Sequence, residues 1–238
     1  MSSPRAFLLT GTDTGVGKTT VGSALAAALA SRGVKVGVAK PFETGCRVDA
    51  DGTLVPADAW QLRYFAGCDE ALETICPIRC AEPLAPAVAL RREGRIIDLA
   101  SLRAAMLGIV ARHEITLIEG AGGLLVPVAR SATFADLARD WKLPVLIVVG
   151  NRLGALNHAQ LTVRFAEHAS LPVAGYIINT LGPEADLATE TNVEALAELV
   201  GPPLGVLPWL GVVRCTPDDR VRLAAAAEKH IALDALNG

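Results

Sequence analysis

A glycine-rich turn near the start of the chain constrains its fold more than any other feature. The segment Gly11–Thr19 reads Gly-Thr-Asp-Thr-Gly-Val-Gly-Lys-Thr, and it lies between the apolar run Ala6–Thr10 and an alanine-rich stretch that begins at Lys18. Glycines let the backbone curl so that successive N–H groups point inward, and the start of a helix adds its positive dipole end. The segment therefore predicts a strand–loop–helix unit that holds phosphate groups, a P-loop.

Two side chains of this loop have predicted roles in binding a nucleotide. Lys18 would reach the β- and γ-phosphates, and the Thr19 hydroxyl would bind Mg²⁺. Five residues, rather than the usual four, separate Gly11 from Gly17, so Thr12 takes the place of the first glycine. ATP and GTP both remain open at this point, although the absence of an Asn-Lys-x-Asp sequence, which reads guanine, favours ATP.

Apolar runs alternate with helical stretches along the rest of the chain. Several runs are apolar at every position, as expected of strands that are buried on both faces. This alternation predicts an α/β fold, a mainly parallel β-sheet flanked by helices, and with the loop it predicts a P-loop NTPase fold. The predicted strands are Ala6–Thr10, Val34–Ala39, Ile115–Ile118, Val145–Val149, Val173–Ile178 and Leu204–Val206. The predicted helices are Lys18–Arg32, Asp98–Arg112, Ala155–Ala169, Ala185–Val200 and Asp219–Ala232.

The length of 238 residues suits a single P-loop α/β domain over residues 1–238, with an irregular insertion at about residues 41–96. The insertion is rich in Gly, Pro and Asp and shows no clear strand. It nevertheless contains Trp60, Tyr64 and Phe65 at near-helical spacing. We therefore expect it to pack over the edge of the sheet and to carry groups that bind a substrate.

Composition and charge argue against several classes of function. A formal net charge of −3 provides no basic field for a nucleic-acid backbone. Runs such as Val145–Val149 are far shorter than the ~20 residues that span a bilayer, and residues 1–5 lack the apolar core of a signal peptide. The five cysteines are irregularly spaced, which indicates reduced thiols. We expect a cytoplasmic protein with neither a nucleic-acid nor a membrane partner.

A second glycine-rich turn follows the third predicted strand. Glu119 ends that strand, and the sequence Gly-Ala-Gly-Gly follows at residues 120–123. A carboxylate at this point can face the phosphate loop across the sheet and hold Mg²⁺. Asp13 and Asp58 are further candidates to hold metal-bound water, and spacing alone does not choose between them.

Three segments together resemble the dethiobiotin synthetase family: Gly11–Thr19, Glu119–Gly123 and Lys40–Gly45, which reads Lys-Pro-Phe-Glu-Thr-Gly. The further matching segments are Val148–Gly150, Leu153–Ala159, Ala174–Asn179 and Leu207–Leu210. The similarity runs in order along the chain as far as about Leu210. The extra residue of the phosphate loop is the family's own form.

The resemblance implies an ATP-dependent cyclo-ligase of biotin biosynthesis. In the family's reaction, one amine of 7,8-diaminopelargonate takes up CO₂ as a carbamate, which attacks the γ-phosphate of ATP to form a carbamic–phosphoric anhydride. The second amine then closes the ureido ring, and ADP and phosphate are released. The implied cofactors are ATP and Mg²⁺, the implied substrates are the diamine and CO₂, and the implied assembly is a homodimer.

The resemblance also assigns roles to single residues. Lys40 and Lys18 match the catalytic lysines, and Thr44 matches a hydroxyl that contacts the substrate. The implied Mg²⁺ ligands are Thr19, Asp58 and Glu119. The implied nucleotide contacts are Gly15, Val16, Gly17, Lys18, Thr19, Thr20, Asp58, Glu119, Gly120, Ala121, Gly122, Asn179, Thr180, Pro208, Trp209 and Leu210. The Asn179 amide suits adenine because it both donates and accepts hydrogen bonds. Gly154 and Asn157 match a helix start that binds the diamine's carboxylate across the dimer interface.

Two positions limit how far these roles carry over. Some family members have Glu where this chain has Gly15, so any role of that side chain is absent or is supplied elsewhere. His158 follows Asn157 at the predicted helix start, and we expect it to serve packing or the interface rather than proton transfer.

Three other interpretations remain open. A partitioning or regulatory P-loop ATPase would switch partners, but such proteins carry a second lysine early in the loop, where this chain has Thr12. A cobyrinate-type amidating synthetase would need a further glutaminase domain, for which we expect no room. A non-catalytic nucleotide-binding module is disfavoured by the convergence of four residues, Lys18, Lys40, Thr19 and Glu119.

Overall fold

A six-stranded β-sheet forms the centre of the protein in a computed structural model, which describes residues 5–236. The strands in chain order are β1 (Arg5–Gly11), β2 (Val36–Ala39), β3 (Phe42–Thr44), β4 (Arg47–Val48), β5 (Leu54–Val55), β6 (Ile78–Cys80), β7 (Ile115–Glu119), β8 (Pro127–Ala129), β9 (Ala132–Thr133), β10 (Val145–Asn151), β11 (Val173–Thr180) and β12 (Gly205–Leu207). The central sheet has the order β12-β11-β10-β1-β7-β2. Its five neighbouring pairs are all parallel, which confirms the predicted fold class.

Helices cover both faces of this sheet. They are α1 (Lys18–Ser31), α2 (Ala57–Ala66), α3 (Leu72–Ile75), α4 (Pro86–Arg92), α5 (Leu99–Arg112), α6 (Phe134–Asp140), α7 (Ala155–His168), α8 (Leu187–Val200) and α9 (Pro217–His230), and a 3₁₀ turn follows at Leu233–Leu236. All five predicted helices and all six predicted strands are present, with ends that differ by at most two residues. Residues 1–4, used above in the prediction on a signal peptide, and residues 237–238 lie outside the described part of the chain.

The core consists of two apolar layers, one on each face of the sheet. Consecutive residues of a strand point to opposite faces, so neighbours in sequence join different layers. In β1, Leu9 packs with Leu25 of α1 and Leu62 of α2, whereas Leu8 belongs to the layer that contains Met106 of α5. This two-sided burial explains why the central strands are apolar at every position rather than at alternate ones.

The segment from residue 41 to residue 96 is more regular than predicted. Trp60, Tyr64 and Phe65 lie on α2, as their spacing suggested, and α2 packs against α1 and the edge strand β2. The expectation of no strand was wrong, because β3 pairs with β6 in parallel and β4 pairs with β5 in antiparallel. These strands contain only two or three residues, too few to show a periodic pattern.

Helix α6 and the short β8–β9 ribbon were also missed by the sequence analysis. The hydroxyl of Thr133 accepts a hydrogen bond from the amide of Asp136, and the Asp136 carboxylate accepts one from the amide of Thr133. This reciprocal capping box begins α6 directly after β9. The helix then buries Phe134 over the turn that follows Glu119, where its ring lies against Gly120.

The five cysteines are free thiols, four of them buried and Cys215 partly exposed. Cys68 and Cys76 pack in one apolar layer, and Cys80 packs in the other. These three thiols therefore behave as small apolar side chains. Among the helices of residues 5–236, none combines the length and apolar character needed to cross a bilayer.

Candidate active site

The phosphate loop joins the carboxyl end of the central strand β1 to the start of α1. Gly17 immediately precedes α1 with a φ of 86°, and Gly15 has a φ of 74°, both in the left-handed region that favours glycine. A Cβ atom on Gly17 would lie 2.1 Å from Nδ2 of Asn179. The loop therefore needs glycine at residue 17 both for its backbone angle and for the close approach of β11.

Glu119 lies at the centre of a cluster of charged and polar side chains next to this loop. Its Oε1 atom is 2.5 Å from Nζ of Lys40 and accepts a hydrogen bond of 2.9 Å from the hydroxyl of Thr19. Nζ of Lys40 is also 3.0 Å from Oδ2 of Asp58. Lys40 and Glu119 are 4% and 1% exposed, so water screens their interaction little. The structure thus brings Lys40 together with the three residues that the sequence analysis named as implied Mg²⁺ ligands.

The two lysines of this site have pKa values that shift in opposite directions. Burial lowers the pKa of Lys18, and the opposing attraction of Glu119 does not compensate. Burial alone would also lower the pKa of Lys40, but the carboxylates of Glu119 and Asp58 outweigh it and raise that pKa well above its usual value. Lys40 is therefore a permanent cation at neutral pH.

Lys18 Nζ donates a hydrogen bond of 3.2 Å to the backbone oxygen of Asp13, within the same loop. The Asp13 side chain forms an ion pair of 2.6 Å with Arg152, which lies between β10 and α7. This pair ties the phosphate loop to the segment that contains Gly154. Gly154 precedes α7 with a φ of 91°, and Asn157 lies exposed in the first turn.

The second glycine-rich turn lies directly against the phosphate loop. The amide of Gly120 donates to the oxygen of Leu9 at 3.0 Å, and the amide of Gly11 donates to the oxygen of Gly122 at 3.2 Å. Ala121 lies between these contacts and is partly exposed. One hydrogen bond to β1 and one to the first residue of the phosphate loop therefore hold the turn after Glu119 against this loop.

The residues predicted to contact the adenine base lie at and after the ends of β11 and β12. Asn179 is 4% exposed, and its Nδ2 donates a hydrogen bond of 3.0 Å to the oxygen of Val16. The register of β11 and β12 pairs Asn179 with Leu207, so Thr180 and Pro208 follow at the same edge of the sheet. Trp209 is 47% exposed and Leu210 is partly exposed.

Two site-like residues had not been predicted. Glu43 is 5% exposed, and its carboxylate oxygens accept hydrogen bonds of 3.0 Å each from the amides of Asp58 and Ala59. Arg152 was missed because its ion-pair partner, Asp13, is 139 positions away in the sequence, so no local pattern predicts the pair. Thr44, which was predicted, follows Glu43 at the end of β3 and is partly exposed.

Two solved structures share the fold. The ParA family ATPase of Chlorobium tepidum superposes with a TM-score of 0.52 and 12% identity over 99% of this chain and 97% of its own. A chain of the MinC:MinD cell division protein complex of Aquifex aeolicus superposes with a TM-score of 0.54 and 16% identity, over 98% of this chain and 94% of its own. At this level of identity the likeness shows only the fold, which is that of the P-loop NTPases.

Comparison of sequences identifies the family. A family model described as an AAA domain matches residues 5–215. The ATP-dependent dethiobiotin synthetase BioD of Anaeromyxobacter dehalogenans is 45% identical over 86% of this chain and 90% of its own length. The protein of the same name from Thermodesulfovibrio yellowstonii is 38% identical over 97% of both chains, and that of Aquifex aeolicus is 40% identical over 92% of this chain and 95% of its own. With matches of this extent and identity, the chain belongs to the dethiobiotin synthetase family.

Proposed function

We propose that the protein is an ATP-dependent dethiobiotin synthetase that joins CO₂ to 7,8-diaminopelargonate and closes the ureido ring. The observation that carries this proposal is the position of Lys40. The Lys40 ammonium lies between the carboxylates of Glu119 and Asp58, beside the phosphate loop. In the sequence, Lys40 begins the segment Lys40–Gly45, which matches the family motif. A switching ATPase of the same fold would have no use for a lysine held in this way.

The phosphate loop is proposed to bind the triphosphate of ATP. Backbone N–H groups from Gly15 to Thr20 surround the start of α1, and Lys18 adds a cation there. In the structure Lys18 donates to a neutral backbone oxygen of its own loop, a contact that a phosphate oxygen would replace with a stronger, charge-assisted hydrogen bond. Asn179 and the segment Pro208–Leu210 are proposed to contact the adenine.

Thr19, Asp58 and Glu119 are proposed to hold Mg²⁺. The fit rests on Glu119, whose Oε2 atom is buried and has no hydrogen-bond partner among residues 5–236. A carboxylate and a hydroxyl are oxygen ligands of the kind that Mg²⁺ prefers, and this cation binds proteins through one or two carboxylates while it keeps several waters. When bound, Mg²⁺ would neutralise charge on the phosphates. Among residues 5–236, no group of three or more His, Cys, Asp or Glu side chains is placed to hold a metal ion.

The carbamate of the diamine is proposed to lie between Lys40 and the γ-phosphate. Phosphoryl transfer requires the protein to align the nucleophile and to balance developing charge, and Lys40 does both for an anionic carbamate. Thr44 at the end of β3 would donate its hydroxyl to the same substrate. The diamine's own carboxylate would meet the start of α7 and Asn157, where backbone N–H groups and the helix dipole favour an anion.

The protein is proposed to act as a homodimer in the cytoplasm, with small molecules as its substrates. Leu153, in the segment before α7, is 84% exposed, and Leu161, in the middle of α7, is 62% exposed. Large exposed apolar side chains on and just before one helix favour a surface that a second subunit covers. The net charge of −3 supports neither a nucleic-acid nor an anionic membrane partner.

The test is ADP formation with and without 7,8-diaminopelargonate and bicarbonate. We expect ADP to appear only when both are present, and labelled carbon from bicarbonate to enter an acid-stable product in equal amount. A matched reaction with the monoamine that lacks the second amino group controls for ring closure. ATP turnover that ignores both substrates, or a product without the label, contradicts the proposed function.

A further inference from the structure

The buried carboxylate of Glu43 has no role in the functions assigned so far. It lies on β3 with a 5% exposed surface, three residues after Lys40 and one before Thr44. A buried carboxylate costs considerable desolvation energy unless hydrogen bonds compensate for it. Burial accordingly raises the pKa of Glu43, while nearby Lys40 and two backbone N–H groups act against that rise. The burial of this carboxyl group at such a cost requires a structural explanation.

The contacts of Glu43 identify what it holds. Oε1 accepts a hydrogen bond of 3.0 Å from the amide of Asp58, and Oε2 accepts one of 3.0 Å from the amide of Ala59. These are the second and third residues of α2, whose amides have no partner within the helix. The residue before α2 is Pro56, which has no side-chain oxygen to cap them. Glu43 thus caps α2 from a separate strand, at the end of the helix where an acidic side chain is favoured.

This cap bears directly on the charged cluster. The amide that Glu43 fixes belongs to Asp58, whose own carboxylate lies 3.0 Å from Nζ of Lys40. Asp58 is partly exposed and on the first turn of a helix, so its position depends on how firmly that turn is held. Glu43 ties the turn to β3, the strand that begins two residues after Lys40. The turn that carries Asp58 is therefore held by a residue that lies three positions after Lys40 in the chain.

We propose that Glu43 is a positioning residue, which holds the first turn of α2 so that the Asp58 carboxylate stays in place beside Lys40. The inference rests on the proposed function for its effect on turnover, but not for its effect on structure. It assigns Glu43 no contact with substrate, nucleotide or metal.

The experiment compares Glu43→Ala and Glu43→Gln with Gln61→Ala as the matched control. Gln61 also lies on α2 and donates a hydrogen bond of 3.0 Å to Ser23 of α1, so its loss loosens α2 away from the capped end. We expect kcat at saturating substrates to fall roughly 10- to 100-fold for Glu43→Ala, the range known for residues that orient a ligating side chain without contacting the ligand themselves. The KM for ATP is expected to change less than kcat, since the contacts within the phosphate loop are unchanged. Glu43→Gln keeps one acceptor oxygen and is expected to fall between the wild type and Glu43→Ala, and Gln61→Ala is expected to keep wild-type kcat.

A double-mutant cycle with Asp58→Asn distinguishes positioning from a general loss of stability. If Glu43 acts through Asp58, then Glu43→Ala costs little further activity once Asp58 is already changed. Multiplicative losses in the double variant, or equal losses in Gln61→Ala and Glu43→Ala, would overturn the inference.

Amide hydrogen exchange followed by NMR gives a readout that does not depend on activity. The amides of Asp58 and Ala59 are expected to exchange faster in Glu43→Ala than in the wild type, and to be unchanged in Gln61→Ala. Unchanged exchange refutes the cap, and faster exchange with wild-type kcat refutes its role in positioning. If the wild type makes no dethiobiotin, the proposed function fails, and the exchange rates still decide whether Glu43 holds α2.

Discussion

The buried ion pair of Lys40 with Glu119 allows a quantitative prediction of how Lys40→Met changes the free energy of unfolding. Lys40→Met removes the ammonium but keeps a side chain of similar length. The Glu119 carboxylate, 1% exposed, would then keep only the hydroxyl of Thr19 as a partner, since Oε2 has none among residues 5–236. Removing one member of a buried ion pair costs about 3–5 kcal/mol, because the other charge stays buried without compensation.

That loss is large relative to the ~5–15 kcal/mol by which domains are stable. Urea denaturation of the metal-free, nucleotide-free protein at neutral pH, followed by circular dichroism, measures the free energy of unfolding directly. Lys229→Met is the matched control, because Lys229 is exposed on α9 and its loss should change stability by less than about 0.5 kcal/mol.

A second substitution checks whether the uncompensated charge is the cause. Lys40→Met combined with Glu119→Gln removes both charges and leaves a neutral oxygen that still accepts from Thr19. We expect this double variant to be more stable than Lys40→Met alone, since a buried pair can be replaced by neutral groups at little cost. A double variant as unstable as the sum of the two single variants, or a loss below about 1 kcal/mol for Lys40→Met, would refute the reasoning. Turnover is expected to fall at least ~100-fold in either variant, on the scale of a lost transition-state contact.

Two further substitutions test the loop and the last helix. Gly17→Ala is expected to cost about 1–2 kcal/mol of stability because residue 17 has a left-handed backbone, and to weaken ATP binding because the new Cβ atom would contact Asn179. Gly33→Ala is the control, since Gly33 has a φ of 80° and nothing within 4 Å of the added Cβ atom, so only the backbone cost applies. Equal ATP affinity of the two variants in calorimetric titrations would contradict this. Hydrogen bonds from Arg222 and from the backbone amide of Arg214 lower the pKa of Asp219 in the folded protein. The ionised carboxylate therefore stabilises the fold at pH values above its usual pKa of 3.8, and this stabilisation is lost as the pH falls through the lower pKa of the folded state. Asp219→Asn should therefore cost about 1.5–3 kcal/mol at pH 7 and less at pH 3 in denaturant titrations, and an equal loss at both would be inconsistent with the linkage.

The central sheet could be predicted from sequence because its strands are buried on both faces. Every residue of β10 from Val145 to Asn151 is buried, so the run is apolar nearly throughout and stands out from the amphipathic helices around it. The predicted start of β2 at Val34 was two residues early. The amide of Val34 donates to the oxygen of Leu29, so it still belongs to the end of α1, which Gly33 terminates with its left-handed backbone.

The segment after β2 could not be predicted in the same way. β3 has three residues and pairs with β6, more than thirty residues later in the chain. No local period specifies such a pair, because its stability comes from Phe42 and Cys80 packing into one layer rather than from either strand alone. Helix α2 was the exception, since its aromatic residues are spaced closely enough to show a helical face.

The candidate site shows the same division between local and distant information. Lys18 and Thr19 were predictable because they belong to a glycine-rich motif whose residues are adjacent in sequence. The role of Glu43 was not predictable, because it accepts hydrogen bonds from the amides of Asp58 and Ala59, which follow it by 15 and 16 positions in the chain. A carboxylate in a short strand has no signature that separates a buried cap from a solvated side chain.

The contrast between the two lysines shows what the structure adds to the motifs. Both are buried, yet Lys40 is compensated by two carboxylates, whereas Lys18 donates to a neutral backbone oxygen and has a lowered pKa. A buried cation without a compensating partner gains most from an incoming anion, so Lys18 is prepared to receive a phosphate. Lys40 is instead held by Glu119 and Asp58 until a ligand competes for those carboxylates. Lys18 should therefore contribute chiefly to nucleotide affinity, and Lys40 chiefly to turnover.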